Sequence, residues 1–171
     1  MSELREIKPF CFEISPFAAI AEDKLLLTAE NKAGENNPMT VSWGGFCVLF
    51  GEPVVLFAVR PERYTYSFCE EGSKITLSFL KPGYEKILAY CGSHSGREGE
   101  KIEKAGLHRF ALPCGGLGYE EARLIIGGEK CCRVPLQREC FPTEEIPGKW
   151  YAKDGYHILY FARVKGIFEV L

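Results

Sequence analysis

Three short stretches concentrate the side chains able to do chemistry. The first is Arg60-Pro61-Glu62-Arg63-Tyr64-Thr65, where an apolar strand pattern gives way to a helical one. Free backbone N–H groups and the dipole at a helix start attract an anion, and arginine adds a bidentate fork suited to phosphate. The competing reading is a solvated helix start with ordinary surface arginines. The second stretch is Cys91-Gly92-Ser93-His94-Ser95-Gly96-Arg97, whose small hydroxyl residues, glycines and arginine can present donors concavely as an anion nest. Its plainer reading is a connector between two helices, with His94 a surface loop residue. The third is Asn37-Pro38-Met39-Thr40-Val41-Ser42-Trp43-Gly44-Gly45, polar and apolar by turns as a strand enters the core. Gly44 and Gly45 allow a flat ligand or another backbone to come close. Trp43 is either core or the wall of an aromatic pocket.

Taken together, the three stretches offer an aromatic, backbone-lined slot beside phosphate donors. No metal-ligand set and no nucleophile–base pair accompanies them. Such a slot suits a planar, phosphorylated cofactor whose chemistry is its own. Other fingerprints fail. Gly116-Leu117-Gly118-Tyr119-Glu120-Glu121 lacks the third glycine of a dinucleotide loop and precedes a strand pattern, so it reads as a surface turn. No phosphate-binding P-loop motif is present.

The wider composition narrows the classes. The chain has 171 residues, 46% hydrophobic and 26% charged, which predicts a single domain over residues 1–171 with a real core. Lys and Arg number 21 against 23 Asp and Glu, a net charge of −2. That balance speaks against nucleic acid, whose binders draw affinity from basic excess. Asp23 and Asp154 are the only aspartates and His94, His108 and His157 the only histidines, too few to favour a Ser-His-Asp triad or a histidine-rich metal site. The eight cysteines include no C-x-x-C pair and read as reduced, mostly buried thiols. The opening Met1–Glu6 carries no apolar signal segment, which predicts a cytoplasmic chain. The apolar run Val41–Val59 is broken by Gly51-Glu52-Pro53, so it predicts no membrane span.

The elements that must position these stretches follow from periodicity and turn residues. Strands are expected at 39–50 and 54–60, both buried on two faces, with a helix from Pro61 stopped by Gly72. An alternating strand at 74–80 precedes a helix over 84–91 capped by Gly92, then a short helix over 98–105 capped by Gly106. Strands are expected at 107–112 and 122–134, and at 156–164 and 167–171 around a Lys165-Gly166 turn, with Asp154-Gly155 as a hairpin turn. The polar stretch 135–150 reads as a surface connection. The sum is a mainly β domain with a few helices, expected as a closed barrel because closure removes exposed edges.

The chain resembles the flavin reductase-like family of FMN-binding split-barrel proteins, the group that includes flavoredoxin. The likeness lies in Asn37 to Trp43, in Pro53-Val54-Val55-Leu56-Phe57-Ala58-Val59-Arg60-Pro61-Glu62-Arg63-Tyr64-Thr65-Tyr66, and in Tyr90 to Arg97, in that order. Gly155-Tyr156-His157-Ile158-Leu159-Tyr160 is similar to the family's closing strand. One departure is visible: Glu98 and Glu100-Lys101 stand where the family shows Asp and Asp-Lys. The resemblance implies a mainly β fold, an FMN-binding split β-barrel, forming a homodimer with flavin near the interface. It implies FMN contacts from Met39, Thr40, Val41, Ser42 and Trp43 to the ring or ribityl chain. Arg60, Tyr64 and Thr65 would approach the ribityl and phosphate, Ser95, Gly96 and Arg97 the phosphate, and His157 the ring. It implies an oxidoreductase taking electrons from NADH, NADPH or a redox protein partner. The alternatives are a flavoredoxin-type carrier without NAD(P)H turnover and a non-catalytic FMN-binding module.

Overall fold

A computed structural model describes residues 3–171; Met1 and Ser2, where the cytoplasmic reading begins, lie outside the described residues. Ten strands are formed: β1 (Leu4–Ile7), β2 (Leu25–Glu30), β3 (Asn36–Val41), β4 (Gly44–Leu49), β5 (Glu52–Val59), β6 (Lys74–Leu80), β7 (Arg109–Ala111), β8 (Leu117–Tyr119), β9 (Ala122–Pro135) and β10 (Ile158–Val170). Five helices accompany them: α1 (Pro16–Ala21), α2 (Thr65–Glu71), α3 (Glu85–Ser93), α4 (Lys101–Lys104) and α5 (Glu145–Trp150).

The main sheet is antiparallel and runs β3-β2-β6-β9-β10-β5-β4, while β7 and β8 pair separately. Its shape follows from one covalent fact. β3 and β4 stand at opposite ends of this seven-strand path, yet only Ser42 and Trp43 separate them in sequence. Laid flat, the path would place them roughly 29 Å apart at about 4.8 Å per strand. Three Cα–Cα steps from Val41 to Gly44 reach at most about 11 Å. The sheet is therefore rolled until its ends meet. No ladder joins β3 to β4 among the described residues, so the roll is split along this seam rather than closed.

Alternation along the strands fills both faces. Leu25, Leu27, Ile75, Leu77, Phe79, Ile126, Phe57 and Tyr160 pack inside the roll. Leu26, Ile125 and Ala122 point the other way and pack with Leu88, Cys91, Ile102 and Tyr119 from the α3–α4 and β7–β8 layer. The long β10 serves β5 with its first half and β1 with its second.

Several expectations are corrected. The strand expected over 39–50 is two strands, because Ser42 and Trp43 cross the seam. β4 is not buried on both faces: Val48 is 62% exposed, and Phe50, just past its end, 63%. Pro61 lies in a turn, not a helix start, since α2 begins at Thr65. Gly92 sits within α3, which runs on to Ser93. Gly116–Glu121 is not a surface turn: it contains β8, and Tyr119 and Glu121 are buried. Lys165-Gly166 is a bulge inside one continuous β10 rather than a turn. Asp154-Gly155 turns no hairpin. Of the cysteines only Cys69 and Cys91 are buried, and Cys11, Cys47 and Cys140 are exposed. No helix of the described residues is long and apolar enough to cross a membrane.

Candidate functional site

Two adjoining cavities lie along the seam, and Met39 and Arg63 line both. The first is bounded by Asn37 of β3, the turn Glu62–Thr65 entering α2, the Ser93–Arg97 connection and Lys101 of α4. Its floor is built from paired polar groups. Asn37 Nδ2 donates to Thr65 Oγ1 at 2.6 Å. The last carbonyls of α3 have no partner within the helix, and two cations take them. Arg63 Nη2 donates to the Gly92 carbonyl at 2.6 Å, and Lys101 Nζ donates to the Cys91 carbonyl at 2.7 Å. Arg63 has five N–H donors and Lys101 three, so both keep donors to spare. Arg97 lies over the Tyr64 ring at 5.0 Å, and its backbone N–H donates to Ser95 Oγ at 3.2 Å.

Three cations thus face one carboxylate, Glu62, around this cavity. Lys101 is only 5% exposed, and burial, reinforced by Arg63, lowers its pKa to about 8. Burial raises the neighbouring Cys91 thiol to about 11, so it stays neutral and offers no counter-charge at neutral pH. Gly96 seals the back wall. A Cβ there would fall 2.0 Å from Asn37 Oδ1 and 2.7 Å from Tyr64 Cδ1, so no other residue fits without movement. The charge and donors of this chamber suit an anion.

The second cavity is lined by Met39, Thr40, Val41, Ser42 and Trp43, with Ala58, Arg60, Gly92 and His157 opposite. Thr40 Oγ1 donates to the Leu88 carbonyl at 2.6 Å, tying β3 to α3. The Trp43 carbonyl accepts from Ala58 N–H at 3.2 Å, pinning the crossing residue to β5. Gly44 is needed for backbone against backbone: a Cβ would lie 2.3 Å from the Leu56 carbonyl oxygen. Gly45 meets nothing. The Trp43 indole stands 4.6 Å from the His157 ring and 5.0 Å, edge to face, from Trp150. His157 Nδ1 pairs with Tyr151 Oη at 3.0 Å. Burial, reinforced by Arg60, lowers His157 to about pKa 4, so its imidazole is neutral at physiological pH. Arg60 Nη2 donates to the Trp150 carbonyl at 2.9 Å. Its Nη1 stands 2.9 Å from Asp154 Oδ2, close enough for charge attraction, but no hydrogen bond is aligned there. The ion pair offsets part of the charge on that buried nitrogen.

All twelve residues singled out in the sequence line one cavity or the other. Tyr64, Thr65, Ser95, Gly96 and Arg97 line the anion chamber; Thr40, Val41, Ser42, Trp43, Arg60 and His157 line the second; Met39 lines both. Arg60, expected near the ribityl chain and phosphate, lines the second cavity, which adjoins the first. Sequence reasoning passed over Asn37, Arg63 and Lys101 as site residues. Arg63 belonged to the quoted motif and could have been found there; Lys101, four residues past Arg97, stands at the lysine of the family's Asp-Lys pair and could have been found by that likeness. Together the chambers can grip a molecule with an anionic tail and a flat aromatic body.

The family described as "Flavin reductase like domain" matches residues 17–137. Among solved structures, an FMN-binding domain of a flavin reductases-like enzyme from Shewanella baltica OS155 superposes with a TM-score of 0.68 at 12% identity, covering 99% of this chain and 78% of that one. Flavoredoxin of Desulfovibrio vulgaris (Miyazaki F) gives 0.67 at 16% identity, covering 92% and 72%. An FMN-binding protein from Thermus thermophilus gives 0.66 at 18%, covering 92% and 78%. At these identities the likeness is one of fold. No curated protein matches the chain.

Proposed function

From the premise that the chain belongs to the flavin reductase-like domain family, we propose that it is a one-domain FMN-binding oxidoreductase whose electrons come from NADH, NADPH or a redox protein. The observation that carries this reading is the pairing of a three-cation chamber with an adjoining aromatic chamber bordered by the Arg60 guanidinium. A phosphate monoester suits the first and an acceptor-rich planar ring the second. When bound, FMN would supply the hydride and electron chemistry.

The residues divide the work. Arg63, Arg97 and Lys101, with Ser95, hold the phosphate end by charge-assisted hydrogen bonds. Met39 to Trp43 and His157 wall the ring and limit water. Arg60 sets a fixed positive charge beside the ring chamber, where low dielectric strengthens its pull on developing negative charge. His157, neutral and paired with Tyr151, orients without donating charge. No side chain is required as acid or base. We extend the reading to a cytoplasmic homodimer with the flavin near its interface. The exposed Val48 and Phe50 beside the edge strand β4 support that assembly, since an uncovered apolar edge favours pairing.

The test is FMN titration of the purified protein, followed by absorbance and fluorescence. Binding is expected, and the Arg63→Glu, Arg97→Glu double variant should stay folded while losing it. Absence of FMN binding by the wild-type chain would refute the reading. NADH or NADPH oxidation above the free-flavin background separates a reductase from a carrier fed by a redox protein.

A further inference from the structure

The family match ends at residue 137, yet the aromatic chamber is held from beyond it. Residues 141–157 leave the sheet after β9, form α5 and return to β10 across the seam. Phe141, Tyr151 and Tyr156 pack on one another with ring centroids 4.5–5.8 Å apart, giving the segment a small core of its own. From that base it makes three attachments. Trp150 sets its ring against Trp43. The Trp150 carbonyl and the Asp154 carboxylate meet the two Nη atoms of Arg60. Gly155 N–H donates to Glu62 Oε1 at 3.0 Å.

Trp43 and Arg60 are the two chamber walls that most need such help. Trp43 belongs to neither β3 nor β4 and remains 36% exposed. Its indole is caught between His157, the residue preceding β10, and Trp150. Arg60 follows the last residue of β5 and swings on a long, rotamer-rich side chain. Both are fixed by the same strap.

We propose that residues 141–157 form a strap in which Trp150 and Asp154 are positioning residues for the ring chamber, Trp150 setting the Trp43 indole and Asp154 the Arg60 guanidinium. The inference rests on the reading of that chamber as the flavin ring's seat. It separates the two chambers energetically: loosening the strap at Trp150 or Asp154 alters the grip on a ring and leaves the grip on a phosphate intact, because the strap's hydrogen bond to the anion chamber, Gly155 N–H to Glu62, involves neither side chain.

The test uses riboflavin as a ring without phosphate, FMN as both, and inorganic phosphate as a competitor confined to the anion chamber. Trp150→Ala is expected to weaken riboflavin and FMN in parallel by about tenfold, the upper range for an edge-to-face aromatic pair. The inhibition constant of phosphate should not change. Trp150→Phe keeps an edge for Trp43 and should recover most of the loss. Asp154→Asn, at an ion pair whose carboxylate is exposed and whose guanidinium is mostly covered, should weaken both flavins by roughly two- to fivefold. Iodide should quench bound FMN fluorescence more readily in Trp150→Ala than in wild type. Riboflavin binding unchanged in both Trp150→Ala and Asp154→Asn overturns the strap, as does a parallel loss of phosphate binding, which marks general unfolding. If wild type binds neither flavin, the cofactor reading itself falls, and the strap with it.

Discussion

Lys101 offers the sharpest check on the anion chamber, because its burial makes a signed statement about pH. The ammonium is nearly inaccessible, has one hydrogen bond to the Cys91 carbonyl, and shares its surroundings with Arg63. Burial first, then Arg63, lower its pKa from 10.5 to about 8, while Cys91 and Glu98 pull the other way. A shift of that size corresponds to about 3 kcal/mol held against the charged form in the free protein. The unfolded chain keeps its proton up to the ordinary value. Between pH 8 and 10.5 unfolding therefore takes up a proton, and stability of the free protein rises with pH. Below about 8 both states are protonated and the full penalty is present.

An anion in the chamber reverses that balance by supplying the missing counter-charge, which drives the Lys101 pKa back toward its ordinary value. Above pH 8 the complex must then take up a proton that the free protein has lost. If the bound pKa returns to about 10, FMN affinity falls roughly tenfold between pH 7 and pH 9, with little of that change between pH 7 and 7.5. The phosphate's own second ionisation, near pH 6, lies below this window. Fluorescence titrations of FMN at half-unit steps measure the slope directly. Lys101→Met should bind more weakly at pH 7 and lose the slope. Wild-type affinity flat from pH 7 to 9, or a slope surviving in Lys101→Met, would refute the assignment of Lys101 to the anion site.

Gly96→Ala should force Asn37 away from Thr65 and lower stability by about 1–3 kcal/mol in urea melts, with weakened FMN binding. Tyr119→Phe should cost about 1–2 kcal/mol in the same assay, because the buried Thr28 hydroxyl, 3.0 Å from Tyr119 Oη, is left without its partner. His108 Nδ1 lies 2.6 Å from Glu121, and that hydrogen bond raises the imidazole pKa above 6.5. Its NMR titration should sit above the free value and fall back in Glu121→Gln. The stabilisation it lends is present below pH 6.5 and fades as pH rises through the raised value.

What could be read from the sequence was local. The strand at 74–80, with Ile75, Leu77 and Phe79 on the interior face, follows from alternation alone, and Gly72 stops α2 by turn chemistry. The three stretches about Asn37, Arg60 and Ser95 announced themselves because donors, small residues and aromatics are crowded there. What escaped was set across the fold. Nothing in Met39–Phe50 marks Ser42 and Trp43 as a seam crossing; the alternation runs through them, and only the strand order demands the break. Asp154-Gly155 has hairpin chemistry, but its backbone N–H and carboxylate are taken by Glu62 and Arg60, more than ninety residues away. Lys101 has the sequence signature of a solvated helix face, and it is buried only because α3 ends above it with carbonyls to satisfy.

These failures share a location, and that location explains the site. Ser42–Trp43, Arg60 and Asp154–His157 all lie where the rolled sheet does not join itself by a strand ladder. Elsewhere the β-ladder satisfies backbone polar groups and fixes side chains by period-2 alternation. Along the seam no β3–β4 ladder does so. Polar and aromatic side chains supply the linkage there: Asn37 to Thr65, Thr40 to α3, Arg63 and Lys101 to the α3 carbonyls, and Arg60 to the strap. A closed barrel would bury these positions under apolar residues. The split leaves a slot whose lining must be polar at one end and aromatic at the other, so the same opening that local sequence patterns fail to foresee is what gives the anion and aromatic chambers their place.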